Sequence, residues 1–218
     1  MTKVGNQSRE PSSFIGRMFV SLQDKRMKKV ITIYTESTPN PSSMKFVANV
    51  YLLEEGSVEY LSREKANHSP IAQQLFGFSG ISSVFITSNF ITLTKSSDVD
   101  WFELNPILRE FIKSYLESGA PLFSGPTEQV SDDTISRTAT MNPVETRIIE
   151  MLEEYVKPAV EQDGGAIHFK SFENGVVTVV MKGSCSGCPS STVTLKNGIE
   201  ALLKNLVPEV SEVIAEAV

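Results

Sequence analysis

The sequence is poor in cysteine, histidine and tryptophan, with two, two and one copies in 218 residues. Two cysteines cannot build the disulfide framework of a small secreted domain, so we expect a reducing compartment. No apolar run approaches the roughly 18 residues of a membrane-spanning helix. Positive charge is also scarce, because 20 Lys and Arg stand against 26 Asp and Glu for a net charge of −6. These absences predict a protein with no membrane and no nucleic acid among its partners.

The overall composition is that of a folded globular protein. Hydrophobic residues make up 40% and charged residues 21% of the chain, both ordinary values. Alternating and helical apolar spacings occur in both halves, so the predicted fold class is α+β, with two small α+β domains over residues 30–123 and 144–218. Residues 124–143 are rich in Ser, Thr and Asp and have no apolar periodicity. This composition is typical of a flexible linker.

Residues 1–29 form a basic tail, with seven Lys or Arg against two acidic residues. We interpret this tail as disordered, or as residues that precede a true translation start at Met27 instead of Met1. A mitochondrial targeting segment is the alternative, because the tail is basic and carries no apolar core of signal-peptide length. If the tail is disordered or not part of the protein, we expect a bacterial cytoplasm as the location. If it is a targeting segment, the alternative location is the mitochondrial matrix.

Residues 30–123 combine β-branched and aromatic runs with turn signals, which predicts a compact domain of strands and helices. The predicted strands are residues 30–34, 44–47, 84–86 and 90–94. Two prolines enforce a loop at Thr38–Pro41. Ser69–Pro70 supplies the cap and first turn of a short helix, and a longer helix is expected to begin at Asn105–Pro106. Trp101 is interpreted as a core anchor.

Residues 144–218 predict the order helix, strand, strand, helix, strand. Apolar residues at every fourth position of Val144–Val156 indicate an amphipathic helix, which Pro158 must kink or end. Asn174–Gly175 is a hairpin turn signal between two apolar strands. A second helix is expected over about Ser190–Leu206, followed by one more strand.

Both cysteines lie in the predicted loop between the second strand and the second helix, as Cys185-Ser186-Gly187-Cys188. A gap of two residues lets two thiolates reach one metal centre, and a following helix N-terminus favours thiolate over thiol. We expect exposed thiolates because polar, turn-forming residues surround them, which argues against two buried cysteines that pack as small hydrophobes. A cluster site, a dithiol redox centre and half of a zinc site remain open.

Ligand counting separates these alternatives. A closed zinc site needs four protein ligands, and the chain adds only His68 and His168, one in each half. Both are interpreted as non-ligands, with His168 facing solvent from a strand. A redox dithiol belongs to a βαβ architecture, whereas this motif follows a hairpin. A four-iron cluster needs four thiolates, which two copies of the chain can supply together.

The C-terminal half resembles the NifU-like, or Nfu-type, domain of iron–sulfur assembly proteins. The matching segments are Lys157–Ala159, Gln162–Gly165, Gly183–Ser191, Thr194–Glu200 and Pro208–Val210. The resemblance implies that Cys185 and Cys188 ligate an iron–sulfur cluster shared between two protomers. The N-terminal half resembles the companion domain found at the front of many Nfu-type proteins, which implies a role in docking partners. The segments that carry this second resemblance are Thr38–Pro41, Lys45–Phe46, Ser69–Ala72, Leu75–Phe76, Phe90–Lys95 and Trp101.

Both resemblances imply a scaffold and carrier that is not an enzyme. The cluster is expected to be 4Fe–4S in preference to 2Fe–2S, and to be passed to apo-proteins. The expected partners are a second copy of the chain, upstream cluster-assembly proteins and apo iron–sulfur clients. A dithiol–disulfide oxidoreductase using the same cysteines, and an adaptor with incidental cysteines, are the alternatives. Asp163-Gly164-Gly165 is interpreted as a tight turn rather than as a contact of the cysteine loop.

Overall fold

The computed structural model describes residues 30–124, 142–186 and 189–217. The predicted basic tail, nearly all of the predicted linker and Cys188 therefore lie outside the described residues. Helices and strands mix in both halves, which confirms the α+β fold class. Among the described residues, no helix combines the length and apolar content needed to cross a membrane.

One antiparallel sheet organises the N-terminal half, with the strand order β1-β2-β5-β4-β3. Its strands are β1 (Ile33–Ser37), β2 (Ser43–Ala48), β3 (Ser57–Tyr60), β4 (Ile81–Thr87) and β5 (Phe90–Lys95). Its helices are a 3₁₀ turn (Glu64–Ala66), α1 (Pro70–Leu75) and α2 (Trp101–Ser118). The predicted cap of α1 is confirmed, because the Ser69 hydroxyl accepts a hydrogen bond from the Ala72 amide.

The predicted start of α2 at Asn105 is wrong. The helix begins at Trp101, because the Asp100 carboxylate accepts the Phe102 amide as an N-cap. Pro106 lies inside the helix and removes one backbone hydrogen bond near its N-terminal end. Trp101 is half-buried and packs against the N-terminal apolar cluster, and its indole N–H donates to the Pro41 carbonyl at 3.1 Å.

The C-terminal half has the predicted order of elements. They are α3 (Pro143–Met151), a π-helical turn (Leu152–Val156), α4 (Lys157–Gln162), β6 (Gly165–Glu173), β7 (Val176–Gly183), α5 (Pro189–Leu206) and β8 (Glu212–Ala217). Strands β6 and β7 pair as the predicted hairpin, and Asn174 and Gly175 both have positive φ at its turn. Strand β8 runs parallel to β7, so α5 is the crossover between them.

Pro158 changes the first helix of this half without ending it. Proline has no amide hydrogen, and its ring collides with the carbonyl four residues earlier in a regular α-helix. The helix widens into a π turn just before the proline, where the Lys157 amide bonds the Leu152 carbonyl five residues back. The expected end of the helix at Pro158 is therefore wrong: the helix continues through the proline with a change of helical register.

Each half buries its own apolar cluster. The fully buried side chains of the N-terminal cluster include Phe46, Ile71, Leu75, Ile86, Ile91, Leu93 and Leu108. Those of the C-terminal cluster include Ile148, Val177, Val179, Met181, Leu203 and Val213. A third, small cluster joins the halves, because Phe85 and Phe90 of the first sheet pack against Ala166 of β6. The two halves are therefore in direct contact.

Two glycine turns meet where β7 ends. Gly164 and Gly183 have φ of +82° and +72°, a region that side chains disfavour. The two backbones approach so closely that a Cβ on Gly183 would lie 2.7 Å from the Gly164 carbonyl oxygen and 3.0 Å from Phe85. Neither the turn nor the contact leaves room for a side chain.

We expect Gly183→Ala to destabilise the protein by about 3 kcal/mol, because it adds left-handed backbone strain to a collision with rigid backbone. Urea unfolding would measure the loss. Gly198→Ala is the matched control, since its Cβ would meet nothing within 4 Å in the middle of α5 and alanine favours helix by up to about 1 kcal/mol. Equal stability of Gly183→Ala and the wild type would contradict the close approach.

Candidate metal centre

Cys185 lies in the turn between β7 and α5, where the loop was predicted. The turn closes on Gly183, whose carbonyl accepts the Ser186 amide at 3.2 Å and the Ser186 hydroxyl at 2.9 Å. Cys185 is only 4% exposed and packs in the C-terminal apolar cluster. The expectation of an exposed thiol is therefore wrong for Cys185, because tertiary packing covers it despite its polar sequence neighbours.

The Asp163-Gly164-Gly165 turn forms one wall of the cysteine's surroundings. A Cβ on Gly165 would lie 2.8 Å from the Cys185 sulfur, so only glycine leaves room for the thiol. The Ser184 hydroxyl lies 3.8 Å from that sulfur and donates to the Asp163 carbonyl. The turn does link helix to strand as predicted, but it also contacts the cysteine loop, which the sequence interpretation disfavoured.

A cavity of about 770 Å³ opens beside Cys185. Its walls are mainly apolar and come from both halves of the chain. The lining residues include Pro39, Asn40, Tyr155, Val156, Ala159, Cys185, Leu195, Ile199 and Leu202. Tyr155, on the π turn, is 53% exposed at this cavity. A space of this size therefore lies beside the Cys185 turn, although the cysteine itself is buried.

Side chains of the N-terminal half reach the residues on either side of Cys185. The Asn40 amide donates to the Ser184 carbonyl at 3.2 Å, and this hydrogen bond is buried. On the other side, the Ser186 hydroxyl donates to the Glu59 carboxylate at 3.4 Å. The cysteine is thus bracketed by two hydrogen bonds that cross between the halves.

The same face of the first sheet also holds the glycine turn. The Thr92 hydroxyl donates to the Gly164 carbonyl at 2.7 Å in a buried hydrogen bond. The Lys45 ammonium donates to the Gln162 carbonyl at 3.3 Å and pairs with the Glu36 carboxylate at 3.0 Å. These contacts tie the backbone of the glycine turn, and of the helix end before it, to the first sheet.

Glu59 is the most electrostatically perturbed group near the cysteine loop. Burial raises the pKa of its carboxyl from 4.5 to about 7, against the opposing effects of the Gly183 amide, the Lys182 charge and the Ser186 hydroxyl. Its Oε2 atom is buried without a protein hydrogen-bond partner. The neutral carboxylic acid is therefore the favoured form of this group at acidic pH.

Neither histidine forms a possible metal site with Cys185. His68 hydrogen-bonds the Tyr60 hydroxyl at 3.0 Å within the N-terminal half. His168 was expected to face solvent, but it is half-buried and hydrogen-bonds the Ser57 hydroxyl of the other half at 2.9 Å. Within the part of the chain that the structure describes, no group of three or more His, Cys, Asp or Glu side chains could hold a metal ion. Of the two predicted cluster ligands, the described residues therefore include Cys185 without the other.

Sequence reasoning missed Asn40 and Glu59. Asn40 lies in Thr38–Pro41, which was noted as a proline-enforced loop and as part of the family resemblance, with no contact to the cysteine loop assigned to it. Glu59 lies on β3, a strand of four residues that was not predicted, although Val58 and Tyr60 alternate with it. With Glu54 and Glu55 nearby in the sequence, local composition does not distinguish Glu59 from a solvated carboxylate.

The pKa of Glu59 predicts how stability depends on pH. Below pH 4.5 the carboxyl is neutral in both the folded and unfolded chain, whereas at higher pH the unfolded chain ionises it more easily. Stability should therefore fall between pH 4.5 and about 7 and stay level above, a loss of about 3 kcal/mol at roughly 1.4 kcal/mol per pH unit. Glu59→Gln should remove this part of the pH dependence.

Urea unfolding at several pH values would test this expectation. Glu55→Gln is the control for loss of one charge, because Glu55 is exposed. A Glu59→Gln protein that loses stability between pH 4.5 and 7 as steeply as the wild type would show that the carboxyl is not the cause.

Two protein-family models together match almost the whole described chain. Residues 33–119 match the family model described as "Scaffold protein Nfu/NifU N terminal", and residues 148–214 match "NifU-like domain". NifU-like protein 5, mitochondrial, of Arabidopsis thaliana is 40% identical over 87% of this chain and 69% of its own length. The NFU1 iron-sulfur cluster scaffold homolog, mitochondrial, is 38% identical in Drosophila persimilis, over 96% of this chain and 76% of that protein. The protein of the same name in Homo sapiens is 39% identical, over 83% and 70% respectively. The chain therefore belongs to the Nfu family of NifU-like iron–sulfur cluster scaffold proteins.

Proposed function

We propose that this protein binds a 4Fe–4S cluster between two copies of the chain, through Cys185 and Cys188, and passes it to apo-proteins. The observation that carries the proposal is the position of Cys185, in the turn before α5 and on the wall of the cavity of about 770 Å³. Backbone N–H groups at a helix N-terminus favour thiolate, which is the form that binds iron. The names of the relatives support an iron–sulfur cargo.

The ligand count supports sharing between chains. A cubane cluster takes four thiolates, and each chain has two cysteines. Both histidines have other hydrogen-bond partners, Tyr60 and Ser57. Two copies related by a two-fold axis supply four thiolates in equivalent positions. Dimerisation and cluster occupancy are then linked equilibria, so the cluster stabilises the dimer.

Transfer is a ligand exchange without a change of iron oxidation state. Each bond from iron to a carrier cysteine breaks as a bond to a client thiolate forms. The proton that the client thiol gives up is taken by the released carrier thiolate. The protein needs no catalytic residue for this step, because thiolates exchange at iron directly, which supports a carrier rather than an enzyme.

The partners are upstream cluster-assembly proteins and apo iron–sulfur clients. The first relatives carry the word mitochondrial in their names, and residues 1–29 are basic. Both observations support the mitochondrial matrix as the location, in preference to a bacterial cytoplasm.

The first test is stoichiometry after anaerobic reconstitution. We expect about four irons and four sulfides per two chains, with a dimer by light scattering, and a return towards monomer when a chelator removes the iron. Cys185→Ala should abolish stable cluster binding and the cluster-dependent dimer together. Its fold should survive with a loss on the order of 1 kcal/mol, because only one buried sulfur is removed.

His68→Gln is the matched control, and it should bind a full cluster. A monomer that holds four irons without an added small thiol would eliminate the shared site. Colourless protein that reduces insulin disulfides would instead identify a dithiol oxidoreductase.

We further propose that residues 30–123 and 144–218 fold independently. Each has its own buried apolar cluster, and among the described residues the apolar cluster that joins them is small, with Phe85, Phe90 and Ala166 as its buried members. A fragment that begins at Met141 should therefore show native circular dichroism and bind cluster. If this fragment is unfolded while the full chain is folded, the division into domains is wrong.

A further inference from the structure

The N-terminal half carries no cysteine, yet its side chains lie against the cysteine loop of the other half. Asn40 is 6% exposed and donates to the carbonyl of Ser184, which is itself 2% exposed. Glu59 accepts from the hydroxyl of Ser186. One N-terminal side chain thus holds the residue before Cys185, and a second holds the residue after it.

The N-terminal half also fixes the turn that buries Cys185 in the C-terminal apolar cluster. The turn that carries it is held from below by Gly164 and Gly165, and the Gly164 carbonyl is bonded to Thr92 of the same N-terminal sheet. Pro39 and Asn40 form the N-terminal side of the cavity beside the thiol. The face of the first sheet and its loop therefore cover the cysteine turn.

A covered thiol is at odds with a cluster held between two chains. Iron binds the sulfur atom directly, so the sulfur of each chain must face the other chain. A thiol that is 4% exposed and bracketed by its own N-terminal half cannot do so. The turn therefore has to break its hydrogen bonds to Asn40 and Glu59 before the shared site can form.

We propose that the N-terminal half is an intramolecular cover of the cysteine loop, with Asn40 and Glu59 as its positioning residues, and that the cover must release Cys185 before a cluster can bind. The identity of the cargo rests on the proposed function, whereas the cover itself does not. Cluster binding and docking of the two halves compete, so each weakens the other.

Asn40→Asp is the sharpest variant. It keeps the side-chain oxygen that accepts the Ser42 amide at 3.0 Å and so preserves the local turn. It replaces the amide that donates to Ser184 with a second oxygen, which repels the Ser184 carbonyl. Asn89→Asp is the matched control, because the Asn89 amide donates to the Ala48 carbonyl within the N-terminal sheet, away from the cysteine loop.

The readout is the rate at which a small thiol reagent modifies Cys185 in the full-length, cluster-free chain. Cys188→Ser in every protein leaves Cys185 as the only thiol. We expect wild-type Cys185 to react about 100-fold more slowly than the same chain in denaturant, as a thiol that reacts only through local opening does. Asn40→Asp should speed the reaction about tenfold, the effect of losing one buried hydrogen bond, and Asn89→Asp should leave the rate unchanged. Circular dichroism would verify that each variant is folded.

The outcomes distinguish a failure of the proposed cover from a failure of the proposed cluster-binding function. If wild-type Cys185 reacts as fast as in denaturant, or if folded Asn40→Asp reacts no faster than Asn89→Asp, there is no cover, and the proposed function can still stand. In the two-cysteine chain, Asn40→Asp should take up iron and sulfide faster than the wild type. If its thiol is exposed but neither protein forms a cluster, the cover stands and the proposed function fails.

Discussion

The carbonyl of Gly164 is the acceptor on which the arrangement of the whole site depends. It receives the Ser184 amide of the cysteine loop at 3.3 Å and the Thr92 hydroxyl of the N-terminal sheet at 2.7 Å. One buried oxygen with two lone pairs therefore joins three parts of the chain, and both of its bonds are made away from water. Glycine on both sides of the contact, at 164 and 183, allows the backbones to approach closely enough for this bonding.

Local signals predicted the elements well. The Asn174–Gly175 turn, the Ser69 cap and the position of the cysteine loop all follow from residues within a few positions of one another. Competing local signals caused the error in α2, where the proline at 106 suggested a helix start and the Asp100 cap set it earlier. Strand β3 was missed because a four-residue segment shows too little alternation to stand out.

The surroundings of the thiol could not be predicted in the same way. The Asn40 bond to the cysteine loop spans 144 positions and the Glu59 bond spans 127, so neither leaves a pattern in any local window. Polar neighbours suggested an exposed Cys185, but exposure depends on what packs over a turn and not on the turn's own composition.

The π turn has a consequence for how the helix before the site can be read from its sequence. Apolar residues recur at every fourth position, and the structure buries four in succession: Ile148, Leu152, Val156 and Val160. In a regular α-helix a step of four residues overshoots one turn by about 40°, so such a row would wind around the helix and reach solvent. The wider turn over Leu152–Val156 takes up the overshoot and returns the row to the core. A backbone irregularity thus keeps in line a repeat that would drift by about 120° over these four residues in a uniform helix.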